Sequence, residues 1–131
     1  MFEAFQNIYK NVKTIKLVLA GYKKNDKSQI PYALIRKFKK HEAISVVNFS
    51  DKNIKLIKNC SCVILPSYRE GMPRSLLEAG LLKKISIAAN VPGCRDIIKN
   101  GYNGYLFQKG NVSDFEKKIM KVYNLKKFQA N

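Results

Sequence analysis

The feature that most restricts this chain is a set of short runs that are apolar at nearly every position. Leu17-Val18-Leu19-Ala20, Cys62-Val63-Ile64-Leu65 and Ile85-Ser86-Ile87-Ala88-Ala89 lack the in-out alternation of a strand with one wet face. Strands of that kind are covered on both sides, which is the situation inside parallel sheets. Segments of helical periodicity separate them, and alternating strands and helices call for crossover connections. The fold class expected is therefore α/β, a Rossmann-like parallel sheet with helices on both faces.

The elements follow from local chemistry. Phe2, Phe5, Tyr9 and Val12 recur at helical spacing, predicting an amphipathic helix over 2–12. A strand at 16–20 ends at Gly21, and Pro31 opens a helix with Leu34, Ile35 and Phe38 on one face. Ile44 to Phe49 reads as a strand, and Ser50-Asp51 as the cap of a helix holding Ile54, Leu56 and Ile57 inside. Cys62–Pro66 is a strand, 73–84 a helix, and Ile85–Ala89 a strand. Val91-Pro92-Gly93 leads into a short helix through Ile97 and Ile98, and two Asn-Gly pairs bracket a turn before a strand at 105–107. Ser113-x-x-Glu116 reads as a capping box for the last helix. In such sheets ligands bind where the strands end, so loops 21–30, 66–73 and 90–94 are the ones to inspect.

Composition narrows the function classes. The chain has 131 residues, enough for one domain, and 46% hydrophobic residues, enough for a core. No apolar run approaches the roughly 20 residues that span a bilayer, and the N-terminus has no signal-peptide pattern. The expected location is cytoplasmic. The formal charge is +16, but only four of the 25 cations are Arg (Arg36, Arg69, Arg74, Arg95). The lysines are scattered, without the arginine-based patch of a nucleic-acid reader, so no nucleic-acid partner is expected. They read as a solvated surface with a general attraction to anions, lipid headgroups included. Cys60, Cys62 and Cys94 have no spacing partner in the single His41, so structural thiols and no metal site are expected.

Two carboxylates in this acid-poor chain stand eight apart, Glu70 on the loop after the third strand and Glu78 inside the next helix. Both can face the crevice at the strand ends. Gly71 lets backbone come close to a ligand, and Pro73 suits the start of a helix. Amides near Ser75 and Leu76, aided by the helix dipole and Arg74, would suit a phosphate. On spacing alone the same residues also read as an acidic N-cap region and a surface Glu, with Arg69 and Arg74 solvated.

The residues together carry more than their spacing. PSYREGMPRSLLEA followed by ISIAANVPGCRDIIKNGYNGYLF closely resembles the donor-binding half of GT-B glycosyltransferases of the glycosyltransferase 4 family. The E-x7-E motif carries the likeness, with FEAF, KLVLAG and NFSD as weaker matches upstream. The form is most similar to enzymes of bacterial polysaccharide, lipopolysaccharide or capsule biosynthesis that use UDP-sugars and polysaccharide or lipid-linked oligosaccharide acceptors. The resemblance implies Glu70 as the catalytic residue beside the donor sugar. Gly71, Met72 and Pro73 would line the sugar site. Arg74 and the Ser75 and Leu76 amides would hold phosphate, and Glu78 would take the ribose hydroxyls. It also implies transfer with retention, no metal and no cofactor, the nucleotide-sugar donor being a substrate.

The departures from that family shape the remaining expectations. Its preceding strand, with an Arg and a Lys for the diphosphate, and its acceptor-binding domain have no counterpart here. Lys83 and Ile85 stand at a usual Gly and Pro, Asn48 at a usual Gly, and Asp96 at a usual Glu. The chain is thus expected to be an incomplete donor domain, inactive alone. A separate acceptor-domain chain, self-association or peripheral contact with the inner membrane face would complete it. The competing expectation is a non-catalytic remnant or a partner-dependent nucleotide-sugar or anion-binding module. If the sheet keeps the order 3-2-1-4-5-6, the strands at 16–20 and 62–66 flank the missing strand.

Overall fold

The computed structural model describes residues 1–22, 31–48, 53–67 and 71–130. They form two compact units, Phe2–Asn53 and Ile54–Asn131, the second including Met1.

In the first unit, α1 (Phe2–Tyr9) buries Ala4, Phe5 and Ile8. It ends sooner than expected, because the Asn11 and Val12 amides both turn back to the Ile8 carbonyl. β1 (Leu17–Tyr22) pairs in parallel with β2 (Ile44–Asn48), and the register slips at Gly21, whose φ is +89°. α2 (Tyr32–Lys40) buries Ile35 and Phe38 and packs on β2. An aromatic cluster joins α1 to the α2–β2 turn: Phe2 meets Phe38 edge-on at 4.8 Å, and Tyr9 meets His41 at 4.9 Å. The imidazole Nδ1 accepts the Ala43 amide at 3.1 Å, and the Tyr9 hydroxyl donates to Glu42 at 2.7 Å. β1 is less covered than its composition implies, with Val18 50% exposed. Among the described residues it has one hydrogen-bonded neighbour, β2.

The second unit runs α3 (Asn53–Asn59), β3 (Cys62–Leu65), α4 (Arg74–Leu81), β4 (Ile85–Ala89), α5 (Pro92–Ile97), β5 (Gly104–Phe107) and α6 (Val112–Ala130). Its strands form a parallel sheet in the order β3-β4-β5. The central β4 is buried from Ser86 to Ala89, whereas edge strand β3 is only half-buried. α4 packs on β3 and β4, α6 on β4 and β5, and the Phe107 and Phe115 rings meet at 4.6 Å. Gly104 is required: a Cβ there would overlap the Ser86 carbonyl across the ladder. In α3, Ile57 is buried but Ile54 is 45% exposed, so its inward face is narrower than expected. The expected cap at Ser50-Asp51 lies outside the described residues.

The capping box of α6 is displaced from its expected place. Asn111, not Ser113, is the cap: its Oδ1 accepts the Asp114 amide at 2.9 Å and its carbonyl accepts the Phe115 amide at 3.1 Å. Asp114 then reaches back to the Gln108 amide at 2.7 Å, so the helix begins two residues early.

The class is α/β, Rossmann-like, with parallel strands and helices packed on them. Among the described residues no ladder joins β1 to β3, and no helix is long and apolar enough to cross a membrane.

Candidate functional site

Because β3, β4 and β5 are parallel neighbours, their carboxyl ends share one edge of the sheet. The segments leaving that edge are 66–73, Asn90–Val91 and 108–111. The first delivers α4, whose amino end therefore opens at the same edge.

Pro73 is the N-cap of α4 rather than its first helical residue, with φ −71° and ψ 104°. Its carbonyl accepts the Leu76 amide at 3.1 Å and the Leu77 amide at 3.4 Å. The Leu76 amide, expected to hold phosphate, is thus spent within the first turn, as a tight i→i+3 contact requires. Among the described residues the Arg74 and Ser75 amides have no hydrogen-bond partner. Among the described residues no acidic side chain lies in that turn and no side chain caps it, so the positive end of the helix is open to an anion.

Ser75 and Glu78 are three apart and share a flank of α4 beside the buried face made by Leu76 and Ala79. The Glu78 carboxylate is 15% exposed and accepts from Arg74 Nε at 3.0 Å, while the Arg74 side chain is 90% exposed. An i,i+4 pair with one partner in water contributes only about 0.3–0.5 kcal/mol. The Arg74 side chain, in water, has room to turn toward an incoming anion. Gly71 and Met72 are exposed, Met72 at 76%. Glu70, the expected catalytic residue, lies outside the described residues, as do Tyr68 and Arg69.

The neighbouring loops are held by side chains to which the sequence reading gave no bracing role. Arg95 Nη1 donates to the Asn90 carbonyl and to Asn90 Oδ1, each at 3.2 Å, bracing the exit from β4. Asn103 accepts the Lys99 amide at 2.8 Å and donates to the Ile97 carbonyl at 2.9 Å, and Asn100 accepts the Leu106 amide at 3.0 Å. Two Asn within four residues, each before a Gly, were the available signal.

Other chemistries find little support in the geometry. Burial, with Cys60 nearby and despite Lys126, pushes the Cys62 thiol up to about 12, so it is no thiolate nucleophile at neutral pH. Cys60 donates to the Ile57 carbonyl at 3.1 Å, and Cys94 is buried. Among the described residues no group of three His, Cys, Asp or Glu could hold a metal ion.

The family described as Glycosyl transferases group 1 matches residues 1–131. This chain belongs to that family. It is 35% identical over 78 residues to a Campylobacter jejuni enzyme, the N,N'-diacetylbacillosaminyl-diphospho-undecaprenol alpha-1,3-N-acetylgalactosaminyltransferase. That match covers 60% of this chain and 21% of the relative. The Staphylococcus aureus capsular polysaccharide biosynthesis glycosyltransferase CapM is 25% identical over 124 residues, 95% of this chain and 32% of its own length. The matched stretches thus span about a fifth of the first of these relatives and about a third of the second. Among solved structures, Anabaena Alr3699/HepE in complex with UDP and glucose superposes with a TM-score of 0.80 at 18% identity. The superposition covers 94% of this chain and 34% of that protein, a GT-B glycosyltransferase, and bears on the fold.

Proposed function

We propose that this chain is the donor-binding part of a retaining glycosyltransferase that takes a sugar from a UDP-sugar. The acceptor is a growing polysaccharide or a lipid-linked oligosaccharide on the cytoplasmic side of a membrane. The observation that carries this reading is the amino end of α4. Two amides that have no partner among the described residues and the largely shielded Glu78 carboxylate stand there, at the sheet edge where ligands bind in such folds.

In this reading the Arg74 and Ser75 amides, with the Arg74 guanidinium swung off Glu78, hold the diphosphate. Glu78 then accepts from two ribose hydroxyls, a pairing suited to a carboxylate. Gly71, Met72 and Pro73 line the sugar, and Glu70 supports the charge that develops at its anomeric carbon. The bond from that carbon to the diphosphate oxygen breaks, and the acceptor oxygen bonds to the same face. The acceptor proton passes to the departing diphosphate. No metal or resident cofactor is assigned a role. The acceptor-binding region belongs to the same polypeptide or to a partner, since the chain covers only part of its relatives' length.

Titration of UDP into the chain by calorimetry tests the reading. Glu78→Ala should weaken binding tenfold or more, the loss of about 1.4 kcal/mol expected for charge-assisted bonds. Lys55→Ala, on an exposed face of α3, should leave it unchanged. Equal affinity in Glu78→Ala would overturn the assignment.

A further inference from the structure

α4 has a third side, used neither by the core nor by the donor flank. Leu77 and Leu81, four residues apart, lie together there, 40% and 83% exposed. Gly80 shares that exposed side. The helix then closes in a turn that fixes where the chain goes next: the Lys83 amide donates to Gly80 at 3.1 Å and the Lys84 amide to Ala79 at 2.8 Å. Two lysines are thus held just beyond the exposed leucines. From Gly71 to Arg95 the only acid is Glu78, already paired with Arg74, against the cations Arg74, Lys83, Lys84 and Arg95.

Two leucines offer far less area than the roughly 800 Å² that each partner contributes to a specific protein interface. A lipid surface does not need such an area. It takes a few apolar side chains into its headgroup region and sums the attraction of many scattered cations for anionic lipids. The charge of +16, spread almost wholly as lysine, fits that kind of partner.

We propose that the exposed side of α4, through Leu77 and Leu81 with Lys83 and Lys84, docks this chain on an anionic bilayer surface. The site goes beyond the donor-binding reading and does not depend on it.

Cosedimentation of the full chain with large unilamellar vesicles tests this. Vesicles of phosphatidylcholine with an equal share of phosphatidylglycerol should pull the chain down, and vesicles of phosphatidylcholine alone should not. High salt should release it. The double variant Leu77→Ser/Leu81→Ser should lower the vesicle partition coefficient about tenfold while its thermal melt and UDP affinity stay unchanged. Leu125→Ser, at a 39% exposed leucine of α6, should change nothing. The proposal is overturned if the double variant binds vesicles like the parent, because charge alone then explains adsorption. It is equally overturned if the parent ignores anionic vesicles, or if the double variant merely converts a self-associated species to monomer.

Discussion

Lys83 has a φ of +56°, the left-handed region that glycine enters freely and other residues at a cost. It stands at the C′ position of α4, and its geometry there is that of a Schellman turn. The turn accepts Lys because its two hydrogen bonds and the burial of β4 beyond it hold the backbone in place. Lys83→Gly should raise unfolding stability by about 1 kcal/mol, read as a higher urea midpoint at unchanged m. The position was visible in the sequence as a departure from a family that favours Gly. The positive φ was not, since no local rule places a lysine there.

At the scale of elements, α6 shows how two signals compete. Asn111-Val112-Ser113-Asp114-Phe115-Glu116 offers a cap and an acid three apart in two frames. The hydrogen bond from the Gln108 amide to Asp114 selects the earlier one. Asn111→Ala should therefore cost about 1 kcal/mol, and Ser113→Ala less than about 0.5 kcal/mol, in chemical denaturation. The Gln108 amide, partly offset by desolvation and helped by Lys118 and Lys117, holds the Asp114 carboxyl below its ordinary value. A carboxylate lowered in the folded state stabilises above its unfolded value and loses that contribution as pH falls through the folded one. Asp114→Asn should flatten the acid side of the stability–pH curve and leave it unchanged in shape near neutrality. Strand and helix identities were legible from unbroken apolar runs and from helical period, as for β4 and α2. Boundaries were not, because the amides of Asn11, Leu76 and Lys84 choose carbonyl partners that no periodicity encodes. Of the candidate site, the placement of Ser75 and Glu78 on one helix was legible. The Arg74–Glu78 pair and the spent Leu76 amide needed coordinates.

For the molecule as a whole, the strand edges decide behaviour. Among the described residues β1 and β3 each have a hydrogen-bonded neighbour on one side only, and Val18 on β1 is half exposed. Apolar edges of this kind template pairing with another chain. The charge of +16 opposes such contact at low ionic strength, and salt screens it. Sedimentation velocity should accordingly show a concentration-dependent rise in sedimentation coefficient that grows with added salt, and Val18→Lys should suppress it. A concentration-independent monomer at high salt would contradict this.

The asparagine-braced loop before β5 also bears on how the protein ages. Asn100-Gly101 and Asn103-Gly104 are sequences in which the glycine amide can attack the side-chain carboxamide and expel ammonia. In the folded chain the Gly101 amide is occupied by the Gly104 carbonyl at 2.8 Å, and both carboxamides are held by backbone partners. The reaction should then wait on opening of the loop. Once it occurs at Asn103, a carboxylate faces the Ile97 carbonyl where an amide donated, and the turn cannot re-form as before. Its rate, followed by peptide mapping, becomes a clock of how often this edge of the molecule comes undone, and Gly104, which admits no side chain, leaves little sequence freedom to slow it.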